Sequence, residues 1–162
     1  MSLDNRPHYA GGCQCGAVRF RVEGKLGDAS VCHCRMCQKA SGNFYMPLVS
    51  VRGAHVTWTR GEPKRFQSSN AARRGFCADC GTPLTFEPDN YPVEVSVAAL
   101  DDPSGAPPTI QVNPNDKQPF FDALCSLPTR PDGAEPKSDA FKASLVNYQH
   151  PDHDTTNWQV RK

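Results

Sequence analysis

The chain has no apolar run approaching the ~20 residues needed to span a bilayer, so it is not expected to cross a membrane. It also lacks a charged, then apolar, then small-residue opening. Residues 1–12 are polar, with Arg6, Pro7 and His8, and no signal peptide is predicted. Both absences point to the cytosol, where thiols stay reduced. Charge of one sign is missing too: 18 Lys and Arg stand against 17 Asp and Glu, which leaves no basic excess for a phosphate backbone. The pairs Lys64-Arg65 and Arg73-Arg74 are expected to be solvated surface. Internal repeats and low-complexity tracts are absent apart from recurring cysteine pairs.

With 15 Pro and 12 Gly in 162 residues, the chain favours short segments joined by turns, which argues against a helix bundle. Strand patterns dominate where periodicity is clear. Val18, Phe20 and Val22 alternate with Arg19, Arg21 and Glu23, and Val93, Val95 and Val97 alternate with Glu94 and Ser96. Segments 44–51, 55–59 and 84–87 read as shorter strands, Pro47 marking an edge or bulge. The expectation is an all-β domain over residues 1–130. After Leu100 the chain turns repeatedly and carries an apolar island, Phe120-Phe121-Asp122-Ala123-Leu124. Residues 131–162 form a polar extension packed on the same domain. One short helix is predicted there, capped by Ser138, with Phe141, Leu145 and Tyr148 at helical spacing.

Seven of the eight cysteines lie in three clusters: Cys13-Gln14-Cys15, Cys32-His33-Cys34-Arg35-Met36-Cys37 and Cys77-Ala78-Asp79-Cys80-Gly81. A disulfide framework is disfavoured, because Cys13 and Cys15, like Cys32 and Cys34, are too close in sequence to bridge without strain. Metal ligation explains the spacing better. In a strand Cys13 and Cys15 would present both sulfurs to one face, and Cys77 and Cys80 would flank a knuckle whose Gly81 tolerates positive φ. Cys13, Cys15, Cys77 and Cys80 together make a closed, structural zinc site. Cys32, Cys34 and Cys37 can hold a second zinc and leave a fourth position. Cys125, His33, a distant carboxylate, water or a substrate thiol are the candidates for it. Two zincs per chain are therefore expected, and seven bound thiolates would bring the formal +1 to about −2. Cys125, in an apolar setting, reads as a buried core thiol, and His33 as a neighbour of the site or a surface group.

The strings Gly12-Cys13-Gln14-Cys15-Gly16, Cys32 to Cys37 with Ser41-Gly42, and Phe76-Cys77-Ala78-Asp79-Cys80-Gly81-Thr82-Pro83-Leu84 resemble the glutathione-dependent formaldehyde-activating (GFA) family, which includes centromere protein V. The resemblance implies small zinc-stabilised β-sheets of the Rab-exchange-factor-like zinc fold. It also implies that Cys32, Cys34 and Cys37 are ligands of a catalytic zinc. The implied activity is that of a carbon–sulfur lyase on thiol–aldehyde adducts, similar to S-hydroxymethylglutathione synthase. Its partners would be a small thiol such as glutathione and an aldehyde, with Arg35 and Lys39 as candidate anchors for the glutathione carboxylates. Asp102-Pro103, Pro107-Pro108-Thr109-Ile110 and Leu127-Pro128 resemble further landmarks of the family. Thr109 stands where histidine is common there, and Phe120 where tryptophan is common. The competing readings are a non-enzymatic zinc module that binds protein or nucleic acid with both metals structural, and a cysteine redox switch.

Overall fold

The computed structural model describes residues 8–160. The expected all-β architecture is present: among these residues ten strands form two sheets, and the helices are short. β1 (His8–Gly12), β2 (Arg19–Glu23) and β5 (His55–Arg60) make a three-stranded antiparallel sheet in the order β1-β2-β5. The larger sheet holds β3 (Ala29–Cys32), β4 (Met46–Ser50), β6 (Lys64–Ser69), β7 (Ala72–Phe76), β8 (Pro83–Pro88), β9 (Glu94–Ser96) and β10 (Ile110–Val112). Its order is β10-β3-β4-β9-β8-β7-β6, antiparallel except for the β10–β3 pair. No helix among the described residues is long and apolar enough to cross a membrane.

The alternation of β2 buries Phe20 and Val22 completely and leaves Arg21 and Glu23 in solvent. The two apolar residues join Val49 of β4 and Val95 of β9 in one core between the sheets. Truncating a fully buried phenylalanine such as Phe20 to alanine costs about 3–5 kcal/mol, a large share of a small domain's stability. β4 serves two cores. Val49 faces the first, while Met46 and Leu48 pack with Cys32 and Cys37 in a second cluster. Because successive strand residues point to opposite faces, the large sheet separates the first cysteine set from the second.

Pro47 sits in an interior strand and not at the edge or bulge expected for it. It pairs with Val31 on β3, and β9 pairs only with Leu48, Val49 and Ser50, so no β9 partner needs its missing N–H.

The helix α2 (Pro136–Ser144) starts two residues before Ser138. Pro136 at the first turn supplies a preset φ, and Ser138 Oγ accepts a hydrogen bond from Arg130 instead of capping. Phe141, Leu145 and Tyr148 are exposed, and Leu145 lies just past the helix end. Further on, residues 150–158 lie against the first cysteine turn. His150 N–H donates to the Gln14 carbonyl (2.7 Å) and Trp158 Nε1 to the Cys15 carbonyl (2.7 Å). Arg19, itself buried, pairs with Asp101 (2.6 Å) and Asp154 (2.9 Å), and Arg60 holds Thr155.

Candidate metal centres

The first centre is built by two turns. Cys13 and Cys15 lie just after β1, in a turn closed by Gly16 N–H to the Cys13 carbonyl (3.0 Å), and not on a strand as their i, i+2 spacing suggests. Gly16 at φ 74° makes this turn, and its lack of a Cβ admits the His150 ring. Cys77 and Cys80 follow β7 in a knuckle closed by Gly81 N–H to the Cys77 carbonyl (2.9 Å), with Gly81 at the expected positive φ of 79°. All four sulfurs lie within 4.8 Å of one another.

The sulfur of Cys15 is 3.6 Å from that of Cys13 and 3.8 Å from that of Cys77. Four sulfurs at the usual Zn–S distance of about 2.3 Å in a tetrahedron are separated by about 3.8 Å, so the donor set fits zinc. Val18 N–H donates to Cys13 Sγ (3.2 Å), and the Thr82 hydroxyl lies 3.2 Å from Cys80 Sγ. Burial pushes the Cys77 thiol up to about 11. It pushes on Cys80 too, but the Thr82 hydroxyl and amide outweigh it and bring that thiol down to about 6.

The second centre stands where β3 ends and α1 (Arg35–Ser41) begins. Cys32 closes β3. Cys34 caps the helix, its sulfur accepting from Cys37 N–H at 3.4 Å, and Cys37 lies in the first turn. A capping sulfur and a first-turn sulfur three residues on share one side of the helix end, and the three sulfurs lie within 4.8 Å of one another. Cys32 and Cys37 are buried, whereas Cys34 is half-buried. Among the described residues no fourth histidine, cysteine or carboxylate joins this set. The hydrogen bond from Cys37 holds the Cys32 thiol down at about 5, with help from Asn113 Nδ2 at 3.5 Å, and the same contact drives the Cys37 thiol upward.

Arg74 is the group that sequence reasoning missed. It is buried on β7, not solvated, and its Nη2 donates to Cys37 Sγ (3.3 Å) while Nη1 lies 3.2 Å from Met46 Sδ. Its guanidinium also stacks over Phe86, 4.7 Å from the ring centroid. Arg73 is exposed and pairs with Glu87, as does Arg65.

His33 is fully buried, Nε2 to Gln111 Oε1 at 3.0 Å, with its ring edge-on to Phe121 (4.7 Å), so it stands beside the ligands and is not a surface group. Cys125 is exposed, not a core thiol, and lies outside both sulfur sets. It falls in a 3₁₀ segment, Phe121–Ser126, whose three-residue repeat turns Phe121 and Leu124 inward and leaves Cys125 outside.

Arg35 and Lys39 are exposed on α1 and line a cavity of about 560 Å³ with Gln38, Phe44, Gln118 and Phe120. Arg35 Nη1 donates to Gln38 Oε1 (2.9 Å), and the buried Gln38 is held by the carbonyls of His33 and Asp116. Phe120 packs edge-on against Phe44 at 4.7 Å.

The family model of the glutathione-dependent formaldehyde-activating enzyme matches residues 8–115, which carry both sulfur sets. The chain belongs to this family. Within the GFA match fall every cysteine of the two centres, Arg74 and Asn113, while residues 150–158 lie beyond it. A relative in Schizosaccharomyces pombe, described as an uncharacterized lyase, is 31% identical over 80 residues, 49% of this chain. The aligned part spans 58% of that relative's length. A crystal structure of a Rhodobacter sphaeroides protein is similar at 24% identity, covering 64% of this chain and 99% of that one with a TM-score of 0.46.

Proposed function

We propose that this protein is a zinc-dependent carbon–sulfur lyase that makes or breaks thiol–aldehyde adducts, with glutathione as the thiol. Cys32, Cys34 and Cys37 would hold the catalytic zinc, and Cys13, Cys15, Cys77 and Cys80 a structural one. The single observation that carries the reading is a three-sulfur set, half-open at Cys34, with no fourth protein donor among the described residues. Cys125, the cysteine that could have closed the site, is exposed and outside it, which favours the enzyme over a module with two structural metals.

When bound at such a site, zinc lowers the pKa of a thiol ligand and so favours thiolate at neutral pH. The chain's own residues do the rest. Arg74 neutralises charge on Cys37 from the buried side, and Asn113 orients Cys32. Arg35 and Lys39 would anchor the two glutathione carboxylates, Arg35 being held toward the cavity by Gln38. In the forward direction the thiol sulfur forms a bond to the carbonyl carbon, the carbonyl π electrons move to oxygen, and the thiol proton ends on that oxygen. No oxidant or reductant is consumed.

Replacing Cys34 by Ser tests the proposal. Turnover should be lost and one of two zincs released, with the far-ultraviolet circular dichroism unchanged. Full turnover in a variant that has lost that zinc would overturn it.

A further inference from the structure

The face of the large sheet that carries Cys32 also carries a cavity of about 610 Å³. Residues paired across a sheet share a face. Val112 pairs with Cys32, Ile110 with Ser30, Ser50 with Glu94, and Glu94 with Phe86. All of them line this cavity except Cys32 itself. Phe86 also packs on the Cys32 and Cys37 cluster and lies under Arg74, so the cavity and the second centre share a wall.

Two properties of the cavity describe its occupant. Its walls are apolar and partly aromatic, through Phe86, Tyr91, Ile110 and Val112. Its charges are predominantly negative: Asp28, Asp89 and Glu94 face one cation, Arg52. Glu94 is the least exposed of these. It is half-buried, no hydrogen bond or ion pair within 4 Å holds it among the described residues, and Arg74, stacked over Phe86, is the cation that acts on it from behind the wall. Glutathione carries two carboxylates and is repelled by such a lining, whereas the Arg35 and Lys39 cavity on α1 attracts it. Formaldehyde, with only hydrogens on its carbonyl, has nothing to fill a space of this size.

We infer that this cavity binds the substituent of the aldehyde partner, and that the substituent is aromatic or bulky and apolar, and uncharged or cationic. The inference rests on the thiol–aldehyde reading of the neighbouring centre and names the electrophile class for it. The thiol approaches from the basic α1 side, and the aldehyde's side group occupies the acidic, apolar side.

Binding of unreactive probes tests this without turnover. Benzylamine, benzyl alcohol and benzoate are titrated into the zinc-loaded full chain while the methyl resonances of Ile110 and Val112 are followed by NMR. Benzylamine should shift those methyls and bind at least tenfold tighter than benzoate, with benzyl alcohol between. Glu94→Gln should shrink that preference severalfold, and Ile110→Trp, which fills an exposed part of the wall, should abolish all three titrations. Benzoate binding as tightly as benzylamine, or no probe moving Ile110 and Val112 at millimolar concentration, would overturn the inference. A turnover assay with glutathione and, in turn, formaldehyde and benzaldehyde separates the two proposals. Turnover with no probe binding leaves the lyase reading and removes this one. Ordered probe binding without turnover of any aldehyde leaves the cavity's preference and removes the lyase reading.

Discussion

Arg74 Nη2 donates a 3.3 Å hydrogen bond to Cys37 Sγ, and both groups are buried between the large sheet and α1. A guanidinium out of water is retained only where charge or π density compensates it, and here the sulfurs of Cys37 and Met46 and the Phe86 ring surround it. Arg74 is therefore a positioning residue for the second centre.

Arg74→Ala should weaken zinc at that centre about 10–100-fold, the usual effect of losing a hydrogen-bond partner to a ligand, and leave the first centre unchanged. Competition against a chromophoric chelator measures both. Arg74→Lys should recover only part of the loss, because an ammonium cannot reach both Cys37 and Met46 while stacking flat over Phe86. An unchanged affinity at the second centre in Arg74→Ala would remove the assigned role.

Chelator should extract the two metals in separate phases. The Cys32, Cys34 and Cys37 set has one fewer sulfur and a half-exposed member, whereas the four-sulfur set is covered by residues 150–158. The fast phase should leave the amide NMR spectrum folded, and the slow phase should coincide with its collapse. A single phase, or collapse in the first, contradicts this order.

Gly16→Ala should displace the covering segment. A Cβ at Gly16 would collide with the His150 ring and the Trp158 indole, in a backbone at φ 74° that resists a side chain. Strain of this kind costs about 1–3 kcal/mol. The thermal midpoint should fall, Trp158 emission should shift to the red, and the slow metal phase should accelerate.

Acid should undock the same segment. Burial lowers His150 from its ordinary 6.5, and the Arg19 hydrogen bond lowers the Asp154 carboxyl from its ordinary 3.8. Both folded values are depressed, so each contribution is complete above the ordinary value and is lost as pH falls through the folded one. Trp158 fluorescence should therefore change in two steps below about pH 6.5, with Trp58→Phe as the background. Asp154→Asn should remove the lower step only.

Much of this was legible in the residues. The alternation of Phe20 and Val22, the knuckle at Cys77 to Gly81 and the division of the cysteines into four and three follow from periods and spacings that local chain geometry enforces. What escaped depends on partners distant in sequence. The charges around Arg74 look like solvent-facing surface, and only the pairing of β7 with β8 brings Arg74 over Phe86 and beside Cys37. α1 escaped because its cap is a sulfur and it has only seven residues, too few for an apolar stripe. Cys13 and Cys15 read as strand because i and i+2 is a strand spacing, and Gly16 turned the chain there instead.

The docking of residues 150–158 on the Cys13 to Gly16 turn also sets an order of assembly. A chain emerges from the ribosome N-terminus first, and His150 follows Cys80 by about seventy residues. All four sulfurs of the first centre are thus available before the segment that covers them exists. A metal held by that centre would thus have access before closure, and a mature chain stripped of it would have to lift the segment to be refilled.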